Sequence, residues 1–331
     1  GSVSGTVVTL GSAAGAITDS NLGTNNVTAD SLTANSATGV DLDTTIITLT
    51  AADVSGTGVI DISNTGALGV TSATTNNGNI TLASDSGTLT LTSVTATGGN
   101  VIANATTSGN ISVGSVSGTV VTLGSAAGAI TNINPGTSSI AATSLTASAE
   151  TGIDLDTTIT TLTSANVTGI GAAIDISNTL ALGVTSADAA NGDITIVAPE
   201  MTIAGAISAN TVTLAGTTGR AISLGADGDA EAAADLDLLD SELDNITATT
   251  LVLGNSSSDD ITFYAEMSPN NAINLTLTTG GSVVDFNAGN DVTSVALVVD
   301  ALSGIDLDTT MTSLDADVTG TGTINIADTD A

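Results

Sequence analysis

Pairs of aspartates two residues apart are the side chains of this sequence best suited to acid–base chemistry. One such pair lies in a short motif that occurs three times, at Asp41 and Asp43, Asp154 and Asp156, and Asp306 and Asp308. Side chains at positions i and i+2 of a strand lie on the same face, so each pair would bring together two carboxyl groups, as glycoside hydrolysis requires. Because the pair recurs within the same short motif, it indicates a repeated surface pattern rather than one catalytic centre. We therefore predict that the protein is not an enzyme.

A second group of carboxylates suits a divalent cation. Asp227, Asp229 and Glu231 stand at alternate positions of one acidic segment, and calcium prefers oxygen ligands of this kind. The segment lacks the glycine and the terminal glutamate of an EF-hand loop. The sequence therefore suggests calcium, bound by these three residues, as its one cofactor, with a solvated acidic loop as the alternative.

The composition excludes several classes of function. The 331 residues include 34 acidic side chains and one basic one, which gives a formal charge of −33, and there is no cysteine, histidine or tryptophan. The chain therefore has no disulfide bonds, no thiolate or imidazole metal ligands, and no Ser-His-Asp or Cys-His catalytic group. Binding to nucleic acid is excluded because neutralising phosphates needs a basic surface. No apolar run reaches the ~20 residues of a membrane-spanning helix, so we expect no membrane span.

Three aromatic residues and one arginine are the remaining unusual side chains. Phe263, Tyr264 and Phe286 lie close to one another in the sequence, and the rest of the chain has no aromatic residue. We expect them to fill a local irregularity of the core, and a small binding patch is the alternative. Arg220 is expected to form a surface ion pair with a nearby aspartate.

Internal repeats indicate which elements position these residues. Residues 1–18 recur without change at 114–131, an offset of 113, and a GIDLDTT-type segment follows in both copies and again at 304–310. Self-similarity over such a distance indicates units that stack on one another. We divide the chain into repeat 1 (1–113), repeat 2 (114–226) and a divergent, incomplete repeat (227–331), and we expect them to form one continuous solenoid.

Short alternating runs such as Thr6–Leu10 and Ile80–Leu82 make up most of each repeat. Alternating apolar and polar residues predict strands with one buried face, and the Gly, Asn, Ser and Asp between them suit turns. Equivalent apolar positions recur about every 20 residues, at Val40, Ile60, Ile80, Val101 and Val120. We therefore predict an all-β protein, a parallel β-helix of roughly 16 coils, with about six coils near 19 residues in each long repeat.

One segment departs from the strand pattern. Leu236, Leu239 and Leu243 have helical spacing within the alanine-rich stretch 230–243. We expect a short helical excursion or a loop on the outside of the solenoid.

The segment 241–254 has the sequence SELDNITATTLVLG, and MSPNN and LTLTTGGSV follow it at 267–271 and 275–283. These segments resemble the DAELDxITAGTLxIG and ISPANxxTLSLxTGGxVTD motifs of giant repetitive bacterial surface proteins of the filamentous haemagglutinin-like kind. The resemblance implies a right-handed parallel β-helix that is secreted or displayed and acts as an adhesin or a long surface fibre. The secretion domain and receptor-binding tips of such proteins have no counterpart in this stretch.

From these observations we expect a non-catalytic structural protein, the shaft of a secreted or cell-surface fibre or adhesin, located outside the cell or at its surface. Its expected partners are neighbouring coils or further copies of the same protein, together with host-cell or surface glycans bound by regions outside this stretch. A self-assembling sheath, filament or surface-layer subunit joined head to tail is the alternative. A polysaccharide-acting β-helix enzyme is the third interpretation.

Overall fold

The computed structural model describes residues 1–20, 24–225 and 235–328. Nearly all of these residues belong to strands and to the turns between them, and the strands form about 15 parallel stacked coils. The predicted all-β parallel β-helix is therefore confirmed, with a coil count close to the predicted one. The chain divides into two units, Gly1–Gly169 and Ile170–Ala331.

The strands described in the first unit are β1 (Val3–Ser12), β2 (Ile17–Thr18), β3 (Val27–Ser36), β4 (Val40–Val54), β5 (Ile60–Asn64), β6 (Leu68–Val70), β7 (Ala73–Asn76), β8 (Ile80–Ser86), β9 (Leu89–Leu91), β10 (Val94–Thr97), β11 (Val101–Ser108), β12 (Ile111–Val113), β13 (Val116–Ser125), β14 (Ala129–Asn132), β15 (Ile140–Ala149) and β16 (Gly152–Val167).

The elements described in the second unit are β17 (Ile174–Asn178), β18 (Leu182–Val184), β19 (Ala187–Asp188), β20 (Asp193–Val197), β21 (Met201–Ile203), β22 (Ile207–Ala215), β23 (Ile222–Leu224), β24 (Leu236–Leu238), α1 (Asp240–Leu243), β25 (Ile246–Leu253), β26 (Ile261–Phe263), β27 (Ala272–Thr278), β28 (Ser282–Asp285), β29 (Val292–Ala301), β30 (Gly304–Val318) and β31 (Ile324–Asp328).

A typical coil of the first unit consists of three short strands separated by corners. β5, β6 and β7 form one such coil, and β8, β9 and β10 form the next. The two coils pair in parallel, with Ile60 opposite Ile80, Leu68 opposite Leu89 and Ala73 opposite Val94. All six side chains are buried, so each inward side chain is stacked on its equivalent in the next coil.

Glycines stack at one corner because successive coils approach there too closely for a side chain. A Cβ atom placed on Gly58 would lie 1.7 Å from the carbonyl oxygen of Thr38. On Gly78 it would lie 1.8 Å from the oxygen of Gly58, and on Gly99 1.9 Å from that of Gly78. Contact between the backbones of adjacent coils therefore explains why glycine recurs once per coil at this corner.

The predicted ladder of equivalent positions is correct except at its last member. Ile60, Ile80 and Val101 are aligned, but the next residue in the ladder is Val121 and not Val120. Val121 is buried, whereas Val120 is only half-buried and donates its N–H to Asn100 Oδ1 at 3.2 Å. Two adjacent valines show no alternation, so the pattern could not distinguish the inward one.

The first long repeat does not contain a whole number of coils. Val8 starts a ladder that continues through Leu32, Leu49, Val70, Leu91 and Val113. Val121 corresponds to Val8 in the second repeat, yet it belongs to the ladder of Val101. The repeat therefore covers five coils and part of a sixth, so the prediction of six is slightly too high. The coils also differ in length, since the step from Leu32 to Leu49 is shorter than the step from Val8 to Leu32.

The second unit contains one irregular step. Its main ladder advances from Ile194 to Val212 in a step of ordinary length, but the next step, from Val212 to Leu251, is much longer. The longer step includes β23, β24 and α1, and β24 pairs in parallel with β23. One face of this unit therefore gains an extra strand within a single step of the ladder.

The helix expected at 230–243 is limited to α1 in the part of that stretch that the structure describes. Leu236 and Leu238 are both buried and belong to β24. Their period of two, and their pairing with β23, outweigh the helical spacing of the leucines.

We expect Val121→Thr to lower the free energy of unfolding of the first unit by about 1–3 kcal/mol, because the hydroxyl would be buried among apolar side chains. Val120→Thr is the matched control and should change this free energy by less than about 0.5 kcal/mol. Urea denaturation followed by circular dichroism measures both. Equal effects of the two substitutions would contradict the assigned register.

Candidate functional site

The first aspartate pair lies on β4, at polar positions between inward apolar residues. Asp41 is opposite Asp61 of the next coil, and Asp43 is opposite Ser63. Burial, and then repulsion from Asp41 and Asp43, raises the pKa of the Asp61 carboxyl above its usual range. Stacking of coils therefore brings like charges together on this face.

The other two pairs have different surroundings. Asp156 Oδ2 accepts hydrogen bonds from the Asn132 side chain at 2.8 Å and from the Gly136 N–H at 2.6 Å. Asp306 Oδ1 accepts one from the Asn325 side chain at 2.6 Å. These carboxylates bind neighbouring turns and coils, and the three pairs do not form three copies of one site.

The predicted calcium ligands Asp227, Asp229 and Glu231 lie at 226–234, outside the described residues, and this site stays a prediction. Among the residues that the structure describes, no group of three or more acidic side chains is arranged to hold a metal ion.

Asn64 occupies a corner of the first unit and is almost fully buried. Its Oδ1 accepts hydrogen bonds from the Ile46 N–H at 2.8 Å and the Thr44 hydroxyl at 2.9 Å. Its Nδ2 donates to the carbonyl oxygens of Ile46 at 3.1 Å and Gly66 at 2.9 Å. Asn178, the equivalent residue of the second repeat, is also buried and donates to Leu180 O at 2.7 Å. Both asparagines belong to the segment IDISNT, which occurs at 60–65 and again at 174–179. The asparagine of this segment therefore satisfies backbone groups at a corner.

Residues of the SELDN segment join the irregular step to β21. Glu242 Oε1 accepts the Ile203 N–H at 2.9 Å, and its Oε2 accepts the Leu239 N–H at 3.0 Å. Asn245 Nδ2 donates to the Ile203 carbonyl oxygen at 2.9 Å. Two side chains thus bond the N–H and C=O groups of one β21 residue, as a neighbouring strand would. The segment that carries the family resemblance has a structural role at this place.

Glu200 lies beside the same step. Burial raises the pKa of its carboxyl above the usual range and the Glu242 charge adds to this, while N–H donors of Asp237 and Met201 and the charge of Arg220 oppose it. Arg220, the one basic side chain in the sequence, therefore lies close enough to act on this carboxyl.

The aromatic residues divide between the core and the surface. Phe263 is fully buried, which confirms the expected core role for this residue. Phe286 is 73% exposed, so the same expectation is wrong for it. Its ring lies 5.3 Å from that of Tyr264 with an interplanar angle of 57°. Phe286 directly follows the end of β28, and its N–H donates to the Phe263 carbonyl oxygen at 3.0 Å.

Asp291 is the most unusual carboxylate that the structure describes. It has no exposed surface, and its Oδ2 accepts the Asp308 N–H at 2.9 Å. Its Oδ1 is buried and has no hydrogen-bond partner. Both backbone groups of Asp291 are hydrogen-bonded. Its N–H donates to the Asp308 carbonyl oxygen at 2.7 Å, and its carbonyl oxygen accepts the Met267 N–H at 2.8 Å.

Asp291 has two equivalents elsewhere in the chain. Asp291 donates its backbone N–H to the carbonyl oxygen of the second aspartate of the third GIDLDTT segment, Asp308. Asn26 makes the same hydrogen bond to Asp43 at 2.8 Å in the first segment, and Ser139 makes it to Asp156 at 2.7 Å in the second. Both equivalents are buried, and both are neutral. The same corner therefore holds an ionisable group in only one of these three places.

The surroundings of Asp291 disfavour its charged form. Burial is the largest cause that raises the pKa of its carboxyl, to about 7, and the Asp308 N–H opposes it. The charges of Asp285 and Asp308, and a hydrogen bond that the protonated form makes with Asp285, raise the pKa further. We refer to Asp285, Asp291 and Asp308 as the Asp291 corner.

The sequence analysis did not identify the Asp291 corner. Aligning the third GIDLDTT segment with the first two would have placed Asp291 at the position of Asn26.

Comparisons with protein-family models, with curated proteins and with solved structures found no match. Within the described ranges, no helix has the length and apolar character needed to cross a membrane. The function must therefore be argued from the geometry of the coils.

We expect Asn64→Ala to lower the free energy of unfolding of the first unit by about 2–3 kcal/mol, because buried backbone groups would lose their partners. Asn35→Ala, at an exposed position of β3, is the control, with an expected change below about 0.5 kcal/mol. Urea titration measures both. A small effect at Asn64 would mean that water replaces its side chain.

The stability of the second unit should fall as pH rises from about 4 to about 7. Asp291 keeps its proton up to about pH 7 when folded, whereas an aspartate with the usual pKa of 3.8 loses it when unfolded. In EDTA, Asp291→Asn should therefore match the wild type at pH 4 and exceed its stability by about 1–3 kcal/mol at pH 8. Asp300→Asn, on the exposed side of β29, is the control. A constant difference between Asp291→Asn and wild type at all pH values would refute the assignment.

Proposed function

We propose that the chain is part of the shaft of a secreted or cell-surface fibre or adhesin and that it has no catalytic role. The observation that supports this most directly is the register of the coils. Apolar side chains at inward positions are stacked on their equivalents over successive coils in each unit, as in the ladder from Val8 to Val113. Such ladders give a solenoid length and stiffness, since each coil contacts its neighbours.

The distribution of polar groups also supports a structural role. Asp156 and Asp306, two of the carboxylates described above, accept hydrogen bonds from neighbouring turns and coils. A shared acidic surface keeps parallel rods apart by repulsion and so limits lateral aggregation of strands that would otherwise pair.

The composition and the fold of this chain favour resistance to proteases. Its sequence contains a single arginine and no lysine, so trypsin-like proteases have one potential cleavage site. Peptide bonds in hydrogen-bonded parallel strands are also cleaved slowly by other proteases, because cleavage requires the strand to unfold locally. Adhesion to glycans would then belong to regions outside this stretch.

A self-assembling subunit is the second candidate. Coils that pair in parallel and in register, as Ile60 does with Ile80 and Leu68 with Leu89, have strand edges of a kind that can also pair with a further copy.

Antibodies raised against residues 24–169 test the proposal on intact cells. We expect them to label the surface of unpermeabilised cells along thin fibres, and we expect the purified protein to release no sugar from acidic polysaccharides. Labelling only after permeabilisation would contradict the surface location. Electron micrographs that show a joint between separate chains at regular intervals would favour the self-assembling subunit over a continuous shaft.

A further inference from the structure

The Asp291 corner contains a buried carboxyl group whose hydrogen-bonding capacity the surrounding protein leaves incompletely satisfied. Asp291 has no exposed surface, and one of its two carboxylate oxygens has no hydrogen-bond partner. A buried ionised carboxylate is costly unless it is paired, hydrogen-bonded or bound to a metal. The surrounding protein therefore supplies a hydrogen-bond donor to Oδ2 of Asp291 but none to Oδ1.

The corner itself does not require an aspartate. Asn26 and Ser139 occupy the same position in the first two repeats, are buried as well, and make the same backbone hydrogen bond to the residue one coil away. A neutral side chain is thus compatible with the fold at this place. The carboxylate at position 291 needs a reason other than the architecture of the corner.

The charges nearest to Asp291 have the same sign. Asp285 and Asp308 both act on it, and Asp285 is close enough to share a hydrogen bond with the protonated form. Asp285 lies at the end of β28 and accepts the Asn287 N–H at 2.7 Å through its Oδ1. Two carboxyl groups near enough to share a proton, with the Asp308 backbone bonded to one of them, attract a divalent cation.

The chemistry of these ligands selects the kind of cation. Carboxylate oxygens without nitrogen or sulfur ligands suit a hard divalent ion, and a site with two carboxylates leaves the remaining positions to water and to carbonyl oxygens. The turn Asp285–Asp291 also contains Asn287, Gly289 and Asn290, which is a composition suited to a tight, oxygen-rich loop.

We propose that the Asp291 corner binds one hard divalent cation, with the carboxylates of Asp285 and Asp291 as its protein ligands. The cation links the last residue of β28 to the residue that precedes β29. This site is separate from the calcium ligands predicted at Asp227, Asp229 and Glu231, and it does not depend on the proposed function.

Terbium is a local probe of this site, because the chain has a single tyrosine and no tryptophan. The Tyr264 ring lies 5.3 Å from the tilted ring of Phe286, the residue that follows Asp285. We expect Tb³⁺ bound at the corner to be sensitised by excitation of Tyr264, with a several-fold rise in luminescence that excess Ca²⁺ reverses. Tyr264→Phe should abolish the luminescence without changing the stabilisation by Ca²⁺.

Thermal unfolding at neutral pH provides the second measurement, comparing Ca²⁺ with EDTA. We expect Ca²⁺ to raise the Tm of the wild-type second unit by several degrees, and the Asp291→Asn and Asp285→Asn variants to lose that rise. Asp291→Asn retains the fold because Asn26 is its natural counterpart, so loss of binding can be separated from loss of structure by its circular dichroism. Asp300→Asn is the matched charge control and should respond as the wild type does.

A triple variant of Asp227→Asn, Asp229→Asn and Glu231→Gln separates the two candidate sites. We expect it to keep both the terbium signal and the rise in Tm. The proposal is overturned if this triple variant loses the response while Asp291→Asn keeps it, or if the wild type responds neither to Ca²⁺ nor to Tb³⁺.

Discussion

Parallel, in-register stacking of coils is the constraint from which the other features of this protein follow. Strands of adjacent coils are separated by about 4.8 Å, so every side chain lies directly against the equivalent side chains above and below it. An inward position must therefore accept the same small apolar shape several times in succession. Val, Ile, Leu and Ala satisfy this condition, and the ladder of Ile60, Ile80, Val101 and Val121 is an example. Phe263 is the one aromatic side chain among the buried residues that the structure describes.

At the corners, backbone N–H and C=O groups are no longer all paired between strands, so they need other partners or closer packing of the coils. Gly58, Gly78 and Gly99 allow the backbones of successive coils to touch where a Cβ atom could not be placed. Asn64 uses both ends of its amide to satisfy backbone groups that turn away from the strands. Glu242 and Asn245 do the same where an extra strand enters the second unit. Polar residues that look like candidates for chemistry in the sequence thus have positions dictated by the backbone.

The fold could be predicted from the sequence because alternation and spacing depend on the same stacking. The exact register could not, since the length of a coil changes without changing the pattern of its strands. The step from Leu32 to Leu49 is shorter than that from Val8 to Leu32, so identical sequences at Val8 and Val121 lie in different ladders. Burial of Asp291 was likewise invisible in its own segment, because FNAGND has the composition of an exposed turn. Its position follows only from equivalence with Asn26.

Stacking also determines how the strongly acidic composition acts. A carboxylate on one coil meets another a single strand spacing away, as Asp41 meets Asp61, and burial together with this repulsion raises the pKa of the Asp61 carboxyl. With 34 acidic groups and one arginine, ion pairs within the chain cannot relieve this repulsion. Hydrogen bonds relieve it at Asp156 and Asp306, where neighbouring turns and coils supply N–H groups. At Asp291 such donors reach only one oxygen, which leaves the other for a proton or for the cation that we propose. If either binds there, the stability of the second unit depends on pH and on divalent ions through contacts between its coils.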